Sequence, residues 1–235
     1  MADLENKITV DEHLRHIAFI MDGIGRWAQI RMMPRTYGHK AGAENFRRIV
    51  EHCGDIGIKI VTVYAFSTEN WGRPKAEVET IMGLLSQYLD KCEREMEEHK
   101  IRYKFIGDMS VFSEELRGKI SRVEELSKNY ERLLNIALNY GSRAEMVHAF
   151  NLLAAEGKKE ISEEDICGAL YTSHCPDPDI IVRTGGDIRL SNFLLWQAEY
   201  SEFYFTDVLW PDLSNVDVDE IVREFYKRKR KYGKI

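Results

Sequence analysis

The chain reads as an α/β protein: a single domain with a central, mostly parallel six-stranded sheet flanked by helices. Three observations carry this reading. Short apolar runs recur at 16–22, 59–67, 101–107, 132–140, 179–186 and 203–210. Longer segments with apolar residues every three or four positions stand between most of them. No Pro-, Gly- or Ser-rich linker divides the 235 residues, so 1–235 reads as one domain able to bury a sizeable core.

Each element has its own signal. Residues 1–15 are polar and acidic and read as a poorly ordered or peripheral segment. "HIAFIMD" (16–22) is a buried strand that runs through a glycine turn into helix. Residues 38–57 form a helix with Phe46, Ile49, Val50 and Cys53 on one face and a stop at Gly57. Strand 59–67 leads to a long helix over 73–99, with Pro74 near its start. Strand 101–107 is followed by a helix over 113–130, which opens on Ser-x-x-Leu without a full capping box. Strand 132–140 precedes helices over 142–157 and 162–171, the second opening at a capping serine. Strand 179–186 ends on two glycines, 203–210 supplies the sixth strand, and 216–233 closes the chain as a helix with a basic end.

Composition excludes several classes. The formal charge of −6 gives no general attraction to nucleic acid. Cys53, Cys92, Cys167 and Cys175 show neither a C-x-x-C pair nor metal-ligand spacing, and read as reduced thiols. No apolar leader opens the chain and no apolar run reaches ~18 residues, which points to the cytoplasm.

In parallel sheets, ligands bind at the carboxyl ends of the strands. Those ends carry the chemistry here. Asp22-Gly23-Ile24-Gly25-Arg26 combines glycines that let backbone N–H groups approach an anion with an arginine that can clamp it. Asp22 would repel phosphate unless a divalent cation such as Mg²⁺ lay between them. Alone, this pentapeptide is better read as a tight turn with a capping acid and a solvent-facing arginine. The second strand leads into Ser67, Glu69, Asn70, Trp71, Arg73 and Glu77, and the fifth into Arg183, Arg189 and Ser191. Arg35 and His39 lie in the connection after the pentapeptide. Five arginines (26, 35, 73, 183, 189) on one sheet edge suggest a site for two diphosphates. The apolar stripe of the long helix is either core or the wall of a hydrocarbon channel. Glu202 is a candidate second acid near the metal.

These blocks together resemble the cis-prenyltransferases, and among them the bacterial undecaprenyl diphosphate synthases. The resemblance rests on "MDGIGRWA", "GHKAGAENFRRIV", "YAFSTENWGRPKAEV", "LNIALNYGSR", "IVRTGGDIRLSNFLLWQAEYSEFYFTDVLWPD" and the closing "KYG". It implies a homodimer with an elongated hydrophobic tunnel. It also implies Mg²⁺-dependent condensation of farnesyl diphosphate with successive isopentenyl diphosphates, each adding a cis double bond, towards a C55 carrier for cell-wall synthesis. Asp22, Ser67, Asn70 and His39 are then the catalytic candidates. Gly23, Gly25, Arg26, Trp27, Arg35 and His39 resemble the allylic diphosphate pocket. Ser67, Glu69, Asn70, Trp71 and Arg73 match a loop that closes over substrate. Arg183, Arg189 and Ser191 resemble the isopentenyl diphosphate site, and Asp22 with Glu202 the metal site. Release of so insoluble a product implies contact with the inner face of the membrane.

Three positions depart from the family pattern. Ile24 stands where the family has Asn, Asp187 where Glu is usual, and Lys231 where an arginine is expected. Ile24 keeps two alternatives open: an activity-impaired variant, or a non-catalytic accessory subunit. Product length is also open, since a short- or medium-chain synthase would carry the same motifs.

Overall fold

The computed structural model describes residues 8–228. Six strands form one sheet: β1 (His16–Ile20), β2 (Ile60–Ser67), β3 (Ile101–Ile106), β4 (Arg132–Tyr140), β5 (Ile180–Arg183) and β6 (Glu202–Phe205). Their order is β3-β4-β2-β1-β5-β6, and every neighbouring pair is parallel. The sheet is thus wholly parallel where a mostly parallel one was expected. Period-2 alternation divides β1 between two cores: Ile17 and Phe19 face one, Ala18 and Ile20 the other.

The larger core takes the apolar faces of four helices. These are α2 (Arg35–Asp55), α3 (Lys75–His99), α4 (Glu114–Ser127) and α7 (Asn215–Lys227). The other face of the sheet is covered by Phe193, Leu194 and Ala198, while α5 (Ser142–Ala155) and α6 (Glu163–Ala169) share a small core of their own. Ser162 and Ser214 accept N–H bonds at the starts of α6 and α7, each in a reciprocal box with the aspartate three residues on. α1 (Ile24–Ile30) is a two-turn helix directly after β1.

Three boundaries differ from expectation. Residues 8–15 are anchored: the Val10 N–H donates to the Ile56 carbonyl at 2.8 Å and Leu14 is wholly buried. β6 stops at Phe205, because the Gly185 and Gly186 N–H groups turn to the Val208 and Thr206 carbonyls. Both glycines have φ above +80°, a conformation that suits glycine and ends the strand geometry of β5. The last helix stops at Lys227, where Arg228 becomes extended and reaches Glu202. The basic run from 229 on, including Lys231 and Gly233, lies outside the described residues.

Topology places the site. β1 is flanked by β2 on one side and β5 on the other; the connection from β1 leads to β2, and that from β5 leads the opposite way, to β6. A crevice opens at such a switch point, beyond the carboxyl end of β1.

Candidate active site

Asp22 follows β1 at that crevice. Its Oδ1 accepts from its neighbour Gly23 N–H at 2.6 Å, and its Oδ2 accepts from Arg183 Nη2 at 2.7 Å. Arg26 Nη2 lies 3.7 Å from Oδ1. Burial pushes the carboxyl pKa up, but the bonds from Arg183 and Gly23 outweigh it and hold it below the usual range. Asp22 is therefore an anion at neutral pH. Gly23, at φ +92°, turns the chain into α1, and a Cβ there would come within 2.7 Å of Leu209. Gly25 leaves room for the Arg35 guanidinium, which a Cβ would meet at 2.8 Å.

Arg183 ends β5 and is only 4% exposed. Its Nη1 donates to Ser191 Oγ at 2.7 Å and to the Arg189 carbonyl at 2.5 Å. Asp187 Oδ2 receives Arg189 Nη2 at 2.7 Å, with Arg183 Nη2 at 3.5 Å. The shorter acid at 187 thus still reaches both arginines. Ser191 and Asn192 have positive φ, and the loop is pinned by the Ser142 N–H on the Asn192 carbonyl at 2.8 Å. Asn192 Nδ2 in turn donates to Glu69 at 3.0 Å.

A second charged node is centred on Glu77, which is 7% exposed. Its carboxylate takes His39 Nε2 at 3.1 Å and Arg73 Nη1 at 3.2 Å, with Arg35 Nε at 3.6 Å. Burial lowers the His39 pKa, with Arg73 and Arg35 adding to it and Glu77 opposing it, so the imidazole is neutral at pH 7. Ser67 and Asn70 are joined by the Ser67 N–H on Asn70 Oδ1 at 3.1 Å. A register break in β2 next to Ser67 re-aims this end of the strand.

These groups line connected spaces. A polar cavity of about 700 Å³ is walled by Asp22, Arg26, Ser67, Asn70, Arg73 and Arg183, with Glu69, Arg189 and Ser191 also facing it. A second polar cleft, about 440 Å³, shares Asp22 and Arg26 and adds Gly23, Gly25 and Arg35. An apolar cavity of about 130 Å³ meets the first through Met21 and is lined by Ile24, Phe46, Leu85, Leu138 and Trp210. Part of the α3 stripe (Ile81, Leu84, Leu85, Tyr88) faces this cavity, whereas Leu89, Cys92 and Met96 lie in the core.

Some expected residues sit elsewhere. His39 faces the apolar cavity, not the polar clefts. Trp27 turns away: its Nε1 donates to Asp212 at 2.7 Å and Arg31 stacks over its ring at 4.2 Å. Trp71 donates to Asn139 Oδ1 at 2.8 Å and packs edge-on against Phe66, so it pins the loop and does not line the cavity. Glu202 does not meet Asp22 within one chain. It opens β6, in register with Ile180, three residues or about 10 Å below Arg183, and is paired to Arg228 at 2.8 Å. Sequence reasoning placed Glu77 only at a helix start; its i,i+4 spacing from Arg73 was the available signal. Nothing in the sequence marked Asn192.

The comparisons decide the family. The family model for undecaprenyl diphosphate synthases matches residues 20–233. The chain belongs to that prenyltransferase family. It is 47% identical to an isoprenyl transferase of Fusobacterium nucleatum over 93% of this chain and 95% of the relative. A Streptococcus pneumoniae isoprenyl transferase is 43% identical over 93% and 91%. Among solved structures, lavandulyl diphosphate synthase from Lavandula x intermedia, in complex with dimethylallyl diphosphate, superposes with a TM-score of 0.91. It is 33% identical and covers 95% of this chain and 100% of its own. A Campylobacter jejuni protein described as a probable undecaprenyl diphosphate synthase gives 0.81 at 35% identity, covering 96% and 100%. This prenyltransferase has, among the described residues, no helix long and apolar enough to cross a membrane.

The family implies Mg²⁺, so the donor set is tested against it. Among the described residues no three His, Cys, Asp or Glu side chains converge into a cage. Mg²⁺ is commonly held by one or two carboxylates plus waters and substrate phosphates. Asp22, ionised at the wall between two arginine-lined clefts, fits that mode.

Proposed function

We propose that this prenyltransferase condenses an allylic diphosphate, farnesyl diphosphate, with successive isopentenyl diphosphates, with Mg²⁺, into a long-chain cis-polyprenyl diphosphate. One observation carries the reading: two arginine-lined clefts share Asp22 and Arg26, and an apolar cavity opens beside them. Two anions and one hydrocarbon tail are what the reaction brings together.

The residues divide the work. Arg26, Arg35 and the Gly23–Gly25 turn hold the leaving diphosphate, and Arg73 adds a donor from the α3 side. Arg183, Arg189 and Ser191 hold the isopentenyl diphosphate. Mg²⁺ bound by Asp22 would neutralise charge on the departing diphosphate. Donors fixed before reaction favour the charge that develops there, each contributing about 3 kcal/mol to the barrier. Glu77 holds Arg35 and Arg73 in place, and neutral His39 adds no charge beside the tail. Burial of the tail in the apolar cavity contributes about 0.8 kcal/mol per CH₂.

Ile24 supports a slowed variant of the same enzyme over an inactive subunit. Its side chain lines the apolar cavity, while its neighbours Gly23 and Gly25 line the polar cleft, and the family carries an amide at this position. Asp22 and all five arginines remain in place. The exposed apolar side chains Val147 and Phe150 on α5 support assembly as a homodimer, with Glu202 near its interface.

The test is incubation with farnesyl diphosphate, labelled isopentenyl diphosphate and Mg²⁺, with chromatography of the products. Extended products that vanish on chelation are expected. A folded protein yielding none would overturn the reading.

A further inference from the structure

Three consecutive residues of β5 and the turn after it enclose Asp22. Arg183 bonds its carboxylate at 2.7 Å. Gly185 passes so close that a Cβ there would lie 3.1 Å from both the Asp22 carbonyl carbon and the Gly23 nitrogen. Between the two stands Thr184, which is wholly buried. Thr184 Oγ1 accepts the Asp22 N–H at 3.0 Å and donates to the Asp22 carbonyl at 2.8 Å. The Ile20 carbonyl stands farther off, at 3.4 Å. Both main-chain groups of Asp22 therefore meet one hydroxyl.

The strand ladder explains this contact. Ile20 pairs with Arg183, and the Thr184 N–H still reaches the Ile20 carbonyl at 3.3 Å. In a regular parallel pair the next bond would run from the Asp22 N–H to the Thr184 carbonyl. Here the chain turns away, because the Gly185 N–H goes to the Val208 carbonyl at 2.8 Å. The Thr184 side chain stands in for its own main chain and extends the pairing as far as Asp22. A hydroxyl can accept and donate at once, whereas valine has the same shape and neither capacity.

The fold does not rest on this clamp alone. The Asp22 N–H also reaches the Ile20 carbonyl at 3.0 Å, and the Asp22 carbonyl accepts the Trp210 N–H at 2.9 Å. Without the hydroxyl each group keeps one partner, so the chain stays folded. What goes is the second direction of restraint. The Gly23 N–H that holds Oδ1 belongs to the same turn and moves with it. Arg183 alone would then hold the carboxylate from outside the turn, with Arg26 farther off.

We propose that Thr184 is a positioning residue for prenyl transfer: its hydroxyl clamps the Asp22 main chain and keeps the carboxylate aimed at the cation bound with the allylic diphosphate. This rests on the Mg²⁺-dependent reading of the site. Thr184 lines neither polar cleft and acts through Asp22. Its loss weakens metal binding and turnover together and spares isopentenyl diphosphate binding.

The test reads the metal apart from the reaction. Free Mn²⁺, a paramagnetic substitute for Mg²⁺, is followed by electron paramagnetic resonance as protein is added with farnesyl diphosphate, against a blank of farnesyl diphosphate alone. Isopentenyl diphosphate is omitted, so no elongation occurs. The unaltered protein should take up Mn²⁺. Thr184→Val and Thr184→Ala should each weaken Mn²⁺ binding and lower kcat by about tenfold or more, with KM for isopentenyl diphosphate within about twofold. Thr184→Ser should restore both. Thr62→Val is the control for losing a buried hydroxyl: Thr62 bonds His16 and Asn135, in register with Ala18, and its variant should bind Mn²⁺ as the unaltered protein does. Circular dichroism establishes folding. Unchanged Mn²⁺ affinity in a folded hydroxyl-free variant at 184 overturns the proposal. So does a Thr184→Ser variant as weak as Thr184→Val, or a Thr62→Val variant weakened to the same degree. Should neither hydroxyl-free variant fold, the remaining bonds of Asp22 do not suffice and a positioning role is refuted. No Mn²⁺ uptake by the unaltered protein overturns the metal reading itself, a result distinct from uptake that Thr184 does not affect.

Discussion

Exchanging Ile24 for Asn should speed turnover while destabilising the fold. The side chain is half-buried against the main core, and its Cδ1 lies 3.2 Å from where a Cβ on Gly42 would stand. Asn removes about two carbons of apolar contact, worth ~0.8 kcal/mol each if fully buried and about half that here. An amide turned to the apolar wall costs a further ~1–3 kcal/mol unless it finds a partner. The sum is about 2–4 kcal/mol, or a fall in Tm of roughly 4–15 °C for a domain of this size. Turnover moves the other way. A donor between Gly23 and Gly25 can meet charge developing on the leaving diphosphate, an effect of up to ~3 kcal/mol. Half of that is about tenfold in kcat. Initial rates at saturating substrates and calorimetric melting read the two effects in one preparation. A kcat that fails to rise while Tm falls as expected would refute the idea that a polar group is missing at 24. An unchanged Tm would refute the packing account.

Other outcomes follow from the same geometry. Arg183→Ala leaves Asp22 and Asp187 without their buried guanidinium. It should cost about 3 kcal/mol in urea unfolding, the lower end for a broken buried pair because Asp22 is partly exposed, and at least ~100-fold in kcat/KM. Glu77→Gln should lower the His39 pKa further, since Glu77 is the group holding it up; NMR titration of the imidazole reads this, and a rise would contradict the assignment. His16 is buried between Thr62 and the Pro176 carbonyl, and burial lowers its pKa to about 4. The unfolded chain binds this proton from about pH 6.5 downward while the folded chain does not. Its contribution is thus intact above pH 6.5 and declines by about 3 kcal/mol towards pH 4. Urea unfolding across that range should show the slope, and His16→Gln should flatten it.

Much of the fold was legible because its signals are local. Phe46, Ile49, Val50 and Cys53 recur at helical spacing, and that spacing alone orients α2 on the core. The strand starts were equally plain. The end of β6 was not, because it is set by Gly185 and Gly186 bonding across the sheet edge to residues some twenty positions away. Of the site, the arginines and Asp22 were placed correctly by one rule, that ligands gather at the carboxyl ends of parallel strands. The Trp27 and Trp71 rings point away from the clefts, since a tryptophan's N–H goes wherever an acceptor lies, here Asp212 and Asn139. Glu202 stands about 10 Å from Arg183 within one chain, and sequence order cannot say which end of a strand a residue occupies relative to distant groups.

The sequence by itself determined the α/β class, the strand edge that carries the chemistry, and the presence of an apolar residue at position 24. Periodicity and strand-end position are properties of short stretches, so they need no tertiary information. The tertiary structure decided which side chains meet. It gathered Arg35, His39 and Arg73 on Glu77, and drew Arg183 onto Asp22. Those arrangements depend on helix packing and crossover direction, which are settled only when all six strands are in register.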